Sequence, residues 1–161
     1  MEINKNLIQE LFDEAVVNPR LRQNLDLRTS SEDKSQRMLN ALLPGTVVPV
    51  RRHPQSSETV VCLCGKIVEV IYEEVMAFDA GNEELLRGGF EAEGSRKTVL
   101  REVERVHLDS SVGNFGCVVP AGAWHTVEVL EPSVIFEAKD GKYGEDGSER
   151  YAGAFEVTKT N

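Results

Sequence analysis

Residues 45–65 read GTVVPVRRHPQSSETVVCLCG, and the fold class turns on this stretch. From Gly45 onward the apolar pattern has a period of two, the signature of strands. Glu58 opens an otherwise apolar run, Thr59-Val60-Val61-Cys62-Leu63-Cys64, which Gly65 closes as a turn. The same pattern continues outward. Strands are expected at Thr46–Arg51, Thr59–Cys64, Lys66–Glu73, Val75–Asp79, Thr98–Leu108, Phe115–Val119, His125–Leu130, Ser133–Lys139 and Ala154–Thr158, most of them separated by Gly or Pro turns. Many short strands with regular turns predict a sandwich or closed barrel. The charged, Gly-rich Gly81–Lys97 segment reads as a long loop, and polar Gly144–Arg150 as a mobile tail before the last strand.

Before Gly45 the reading is helical. Leu7, Leu11 and Ala15, flanked by Ile8, Phe12 and Val16, form one apolar helix face, which Asn4 or Asn6 caps and Asn18-Pro19 stops. A second short helix is expected over Asp33–Leu42, with Met38, Leu39 and Leu42 as its buried face. The alternating Arg20–Arg28 segment suits an extended strip along a sheet edge. The expected organisation is one compact domain: a helical cap over residues 1–44 and a β-barrel over 45–161.

Composition narrows the function. The 161-residue chain is 40% apolar with 13 glycines, as a folded globular domain requires. Its formal charge of −9 disfavours nucleic acid and anionic membranes as partners. No apolar run approaches the roughly 20 residues of a membrane span. The N-terminus lacks the basic-then-apolar order of a secretory leader, and the cysteines are three, an odd count. Reduced thiols and a cytoplasmic location are therefore expected. Cys62 and Cys64 share a strand face without a second pair to complete a zinc site, and read as small core residues.

The chemistry concentrates on His53, Glu58 and His125. An imidazole, a carboxylate and a second imidazole from separate strands can converge inside a barrel on a divalent metal, leaving coordination positions open. A carboxylate facing a barrel interior is costly unless paired or metal-bound, which strengthens the case for Glu58. His107 has no motif around it and reads as a surface or structural residue.

The spacing of these residues resembles the cupin superfamily. Gly45, Arg51, His53, Glu58 and Gly65 match the first cupin motif, G-x5-H-x-H-x(3,4)-E-x6-G, with Arg51 where the first His belongs. Pro120-Ala121-Gly122-Ala123-Trp124-His125 matches the P-x-G-x2-H heart of the second. That motif's earlier Gly is Asn114 here, and its later Asn is Val129. The segments Arg20–Leu25, Ser35–Leu42 and Phe136–Tyr143 look like the WbuC-type cupin-fold metalloproteins. The resemblance runs from about Pro19 to Tyr143 and is weakest between Asp79 and Gly113.

The resemblance implies a small cupin barrel (a double-stranded β-helix, or jelly roll) that is mainly β with an N-terminal helical cap. It implies a divalent metal, Zn, Fe, Ni or Mn, held by His53, Glu58 and His125, and an association with bacterial surface-polysaccharide metabolism. Arg51 cannot ligate a metal, but its guanidinium suits an anionic group on a ligand. Trp124 beside His125 either stacks on a sugar face or packs the barrel mouth. Glu137 and Lys139 share a strand face and act as acid and base only if that face points inward; with Tyr143 they lie in the family-like segment. Arg22, Asn24, Arg37 and Asn40 either reach the pocket rim or fix the cap to the barrel. The expected partner is a small anionic or sugar-derived molecule, and a homodimer is compatible with several strands that are apolar on both faces. Three other readings stand beside the metal-dependent one: a ligand-sensing module, a degenerate cupin without metal, and a metal-free sugar-nucleotide epimerase using His125 with Tyr72 or Tyr143.

Overall fold

The structure, a computed structural model, describes residues 1–78 and 96–155. It opens with helix α1 (Lys5–Val17). The Asn4 side chain caps it by accepting from the Asn6 and Leu7 amides, each at 3.1 Å. Asn18, held extended by the following Pro19, ends it. Leu11 and Ala15 bury the apolar face against Leu39, Ala41 and Val134.

Apart from one 3-10 turn at Ser110–Val112, the other described elements are strands: β1 (Arg22–Asp26), β2 (Ser35–Leu42), β3 (Arg51–Arg52), β4 (Glu58–Cys64), β5 (Lys66–Phe78), β6 (Arg96–Asp109), β7 (Gly116–Val119), β8 (Trp124–Val129), β9 (Ser133–Asp140) and β10 (Glu149–Arg150). Two five-stranded antiparallel sheets result, ordered β1-β2-β9-β4-β7 and β10-β3-β8-β5-β6. Without the outer strands β1 and β10, the orders 2-9-4-7 and 3-8-5-6 are those of a jelly roll. The fold is thus a mainly β, cupin-type barrel with an N-terminal helix.

Several local expectations need correction. The second helix over Asp33–Leu42 does not form; those residues supply β2. Its apolar side chains fit a helical spacing, but β2 lies between β1 and β9 with both faces covered. Leu39 and Ala41 pack under α1, and Leu42 packs in the barrel. A strand buried on both sides loses its alternation and cannot be told from a helix by periodicity. The only helix within residues 1–44 is α1. The strand expected at Thr46–Arg51 shrinks to β3, because Pro49 has no N–H for a ladder. Lys66–Glu73 and Val75–Asp79 merge into β5. The Gly81–Lys97 loop lies almost wholly outside the described residues, as does most of the strand expected at Ala154–Thr158.

Glu58, Val60 and Cys62 point into the barrel, as alternation requires. Cys64 does not follow them. A register shift between Cys62 and Cys64 turns it to the helix side, where it joins the α1 cluster. Gly65 then makes the β4–β5 turn at φ +83°, where a Cβ would collide with the Pro132 carbonyl and the Ser133 side chain. The barrel core is Leu42, Val60, Cys62, Ile67, Leu108, Val127 and Ile135.

Candidate metal centre

Strand register assembles the site. His125 of β8 lies opposite Arg51 of β3, and Glu58 of β4 lies opposite Lys139 of β9. Directly opposed residues share a face, so these four side chains enter the same end of the barrel. His53 follows β3 by one residue and turns into the same space. His53, Glu58 and His125 are only 3%, 2% and 1% exposed.

Their ligand atoms all lie within 4.8 Å of one another. Glu58 Oε2 is 3.0 Å from His125 Nε2 and 3.5 Å from His53 Nε2. Ligands bound roughly 2.0–2.2 Å from one ion sit about 3–3.6 Å apart at neighbouring positions, so this donor set fits a metal. The second nitrogens are also engaged. His125 Nδ1 lies 3.0 Å from the Ala123 carbonyl, and His53 Nδ1 lies 2.7 Å from Ser148 Oγ. Such bonds on Nδ1 orient each ring and direct Nε2 to the centre.

Glu58 is ionised. Burial pushes its carboxyl up, but hydrogen bonds from His125 and His53 and the charge of Arg51 outweigh burial and hold it well below the usual carboxylate range. Arg51 bridges two carboxylates, at 2.9 Å to Glu137 Oε1 and 3.5 Å to Glu58 Oε2. Burial lowers its proton affinity, and Glu137, Glu58 and Glu69 more than reverse this, so the guanidinium stays charged. Asn40 Nδ2 donates to the other Glu137 oxygen at 2.7 Å. Lys139 Nζ lies 2.9 Å from His53 Nδ1 and pairs with Asp146 at 3.1 Å.

His53, Glu58 and Asp146 border a cavity of about 420 Å³ that opens to solvent, with His125 buried behind them. Arg51, Lys139, Tyr143 and Glu137 line it, as do Arg22, Asn24 and Asn40. Trp124 does not. It neighbours His125 on β8 and therefore faces the other side of the sheet. There its indole N–H donates to Glu74 at 3.0 Å, Arg52 lies 4.5 Å over its ring, and Tyr151 meets it edge-on. Arg37 also stays outside, paired with Asp33 at 2.8 Å. His107 is exposed, the first of its two readings.

The Gly144–Arg150 segment, expected to be a mobile tail, is built into the site. Asp146 is buried and accepts from Ser148 Oγ at 2.6 Å and Gln36 Nε2 at 3.0 Å. Ser148, Gln36 and Lys139 hold its carboxyl well below the usual range although burial opposes them. Nothing in this polar, Gly-containing stretch signals the role. Glu69 also escapes the sequence reading, and here a signal exists. It interrupts Ile67-Val68-Glu69-Val70-Ile71 as Glu58 opens its own apolar run. It is 0% exposed, and neither carboxylate oxygen has a partner. The three cysteines are free thiols, and burial, aided by Glu69, Glu104 and Glu58, pushes Cys117 up to about 12.

Comparison with known proteins gives similarity in fold and no chemistry. Residues 3–80 match a family model described as a domain of unknown function, DUF6016. That span contains Arg51, His53 and Glu58 but stops short of His125. No curated protein matches the sequence significantly. Among solved structures, the TT1209 protein from Thermus thermophilus is similar with a TM-score of 0.53 and 20% identity, covering 88% of this chain and 98% of that one. The conserved SPY1581 protein of unknown function from Streptococcus pyogenes has a TM-score of 0.49 at 12% identity, covering 77% of each chain. An oxalate oxidase in complex with glycolate, a substrate analogue, has a TM-score of 0.46 at 14% identity, covering 83% of this chain and 57% of the oxidase. Among the described residues no helix is long and apolar enough to cross a membrane.

Proposed function

We infer that this chain is a cupin metalloprotein of the WbuC type. It holds a divalent metal, Zn, Fe, Ni or Mn, through His53, Glu58 and His125. It binds or transforms a small sugar-derived molecule in surface-polysaccharide metabolism, in the cytoplasm. The observation that carries the metal assignment is the buried triad, with two Nε2 atoms aimed at one carboxylate oxygen beside an open cavity. The sugar-derived ligand and its pathway rest on the resemblance of the Arg20–Leu25, Ser35–Leu42 and Phe136–Tyr143 segments. A bound metal at this position supplies a Lewis acid for a carbonyl or hydroxyl oxygen, or lowers the pKa of water. The chain's own groups then orient and exchange protons: Arg51 directs an anionic group, Lys139 presents an ammonium beside His53, and Tyr143 offers a phenol at the cavity wall.

A metal-free binding barrel is the second reading. It is favoured by Arg51, which stands at the first cupin His position and already satisfies Glu58 and Glu137. Elemental analysis of tag-free protein separates the two. Near-stoichiometric metal in the wild type, lost in His53→Ala/His125→Ala, establishes the centre. Background metal after anaerobic reconstitution leaves the metal-free reading.

A further inference from the structure

Five cationic side chains line the cavity: Arg20, Arg22, Arg51, Arg150 and Lys139. They divide into two groups. Arg51 is neutralised by Glu137 and Glu58, and Lys139 by Asp146. Arg20, Arg22 and Arg150 have no carboxylate partner among the described residues. Glu149, which also lines the cavity, is committed to Arg52 at 2.7 Å. Uncompensated cations gathered on one cavity are unexpected in a chain of net charge −9.

The three guanidinia lie close enough to repel. Burial lowers the proton affinity of Arg22, and the charges of Arg20, Arg51 and Arg150 lower it further, with only Glu137 opposing. Arg22 is nevertheless held in place, because its Nη1 donates to the Val47 carbonyl at 3.2 Å. Register brings Arg150 to the same rim, since it lies opposite Arg51 across the β10–β3 pair. Deeper in, Arg51 Nε is buried without an acceptor and has a donor to spare. Clustered guanidinia of this kind suit a multi-oxygen anion, which relieves the repulsion and accepts several charge-assisted hydrogen bonds.

We propose that Arg20, Arg22 and Arg150 form an anion subsite at the outer end of the cavity, which grips the phosphate or carboxylate of a small ligand whose other end reaches His53, Glu58 and His125. This takes the cavity as the ligand site and so rests on the function inferred above. It sets the ligand class: a compact, hydroxylated anion rather than a neutral sugar. A volume of about 420 Å³, near the lower end for small-molecule sites, suits one ring and its anionic group better than a chain.

The test is calorimetric titration of inorganic phosphate, and separately of acetate, into the full-length chain at low ionic strength. One or both bind saturably, and Arg20→Gln/Arg150→Gln weakens that binding by about tenfold or more, the order expected for lost charge-assisted contacts. These two side chains make no other polar contact among the described residues and only repel Arg22, so the variant melts no lower than the wild type and keeps its metal content. Preference for phosphate identifies a phosphorylated ligand, and preference for acetate a carboxylate. Anion binding that survives in His53→Ala/His125→Ala places the subsite away from the metal, even if the wild type carries no metal and the metal assignment fails. The proposal is overturned if neither anion binds saturably, or if the arginine variant binds as the wild type does.

Discussion

The two ends of the barrel interior are built from the same strands and differ completely. Along β4 the inward side chains run Glu58, Val60, Cys62; along β8, His125, Val127, Val129; along β9, Lys139, Glu137, Ile135. One end is therefore a charged network and the other a dry core of Val60, Cys62, Leu108, Val127 and Ile135. The dry end is held by burial, which is non-directional and tolerates exchange among apolar residues of similar volume. The charged end is held by pairing. Glu58 meets two histidines and Arg51, Glu137 meets Arg51 and Asn40, and Asp146 meets Ser148, Gln36 and Lys139. Removing one partner there strands another buried charge. Glu69 breaks the division, since it is an unpartnered carboxylate on the inner face of β5 beside Val127.

The contrast can be broken from the dry end first. Ile135→Ala should cost about 2–5 kcal/mol of stability in urea unfolding. Metal bound per folded molecule should not change, because the lost side chain makes no polar contact. Equal losses of stability and metal would show the two ends to be one cooperative unit. At the charged end, Glu58→Gln removes the carboxylate facing both Nε2 atoms. Metal affinity, measured by chelator competition, should fall at least ~10-fold, on the order seen for changes around metal ligands. Unchanged affinity would remove Glu58 from the ligand set.

Glu69→Gln tests the exception. Burial first, then the charges of Glu137 and Glu58, raise the Glu69 pKa well above its ordinary value, with Arg51 opposing. An acid whose folded pKa is raised destabilises the fold as pH climbs above its unfolded value of 4.5. The variant should therefore melt higher than the wild type at pH 7, by about 2–4 °C per kcal/mol recovered, and show no advantage near pH 4. A pH-independent difference would mean that the charge is not the cause.

Asp146→Asn should have the smallest effect, on the order of 1 kcal/mol. Its folded pKa is depressed below 3.8, so its contribution is present above that value and is lost as pH falls through the folded pKa. The variant's deficit at pH 7 should thus shrink in acid. Its metal affinity should also drop, because Ser148, which Asp146 holds, orients His53. A deficit that is the same at pH 2 and pH 7 would exclude the carboxylate charge as its source.

How much of this is legible in the chain differs by kind of residue. Helix α1 and the β-rich character of the rest follow from capping and periodicity, which are local properties. The gathering of His53, Glu58 and His125 is expected from the resemblance of two separated motifs to cupins, and strand pairing brings it about. Alternation places Glu137 and Lys139 on one face, but whether that face turns inward depends on β9 pairing with β2 and β4. Trp124 stands next to His125 in sequence yet lies away from the site, because adjacency on a strand means opposite faces. The Asp33–Leu42 helix fails because burial on both faces of β2 erases the alternation that marks a strand. Asp146 and Ser148 have no local signal, since their roles come from contacts made across more than 90 residues.

The alternation of apolar and polar side chains, the turns and the types of ligating atom are written in the chain, because they depend on residues a few positions apart. Which strands are neighbours, and hence which charges meet, emerges only on folding. Strand order and register set the distance from His125 to Glu58, the bridge from Arg51 to Glu137, and the cluster of Arg20, Arg22 and Arg150. Electrostatic pairing depends on separations of a few ångströms and on burial, and neither is a property of position along the chain.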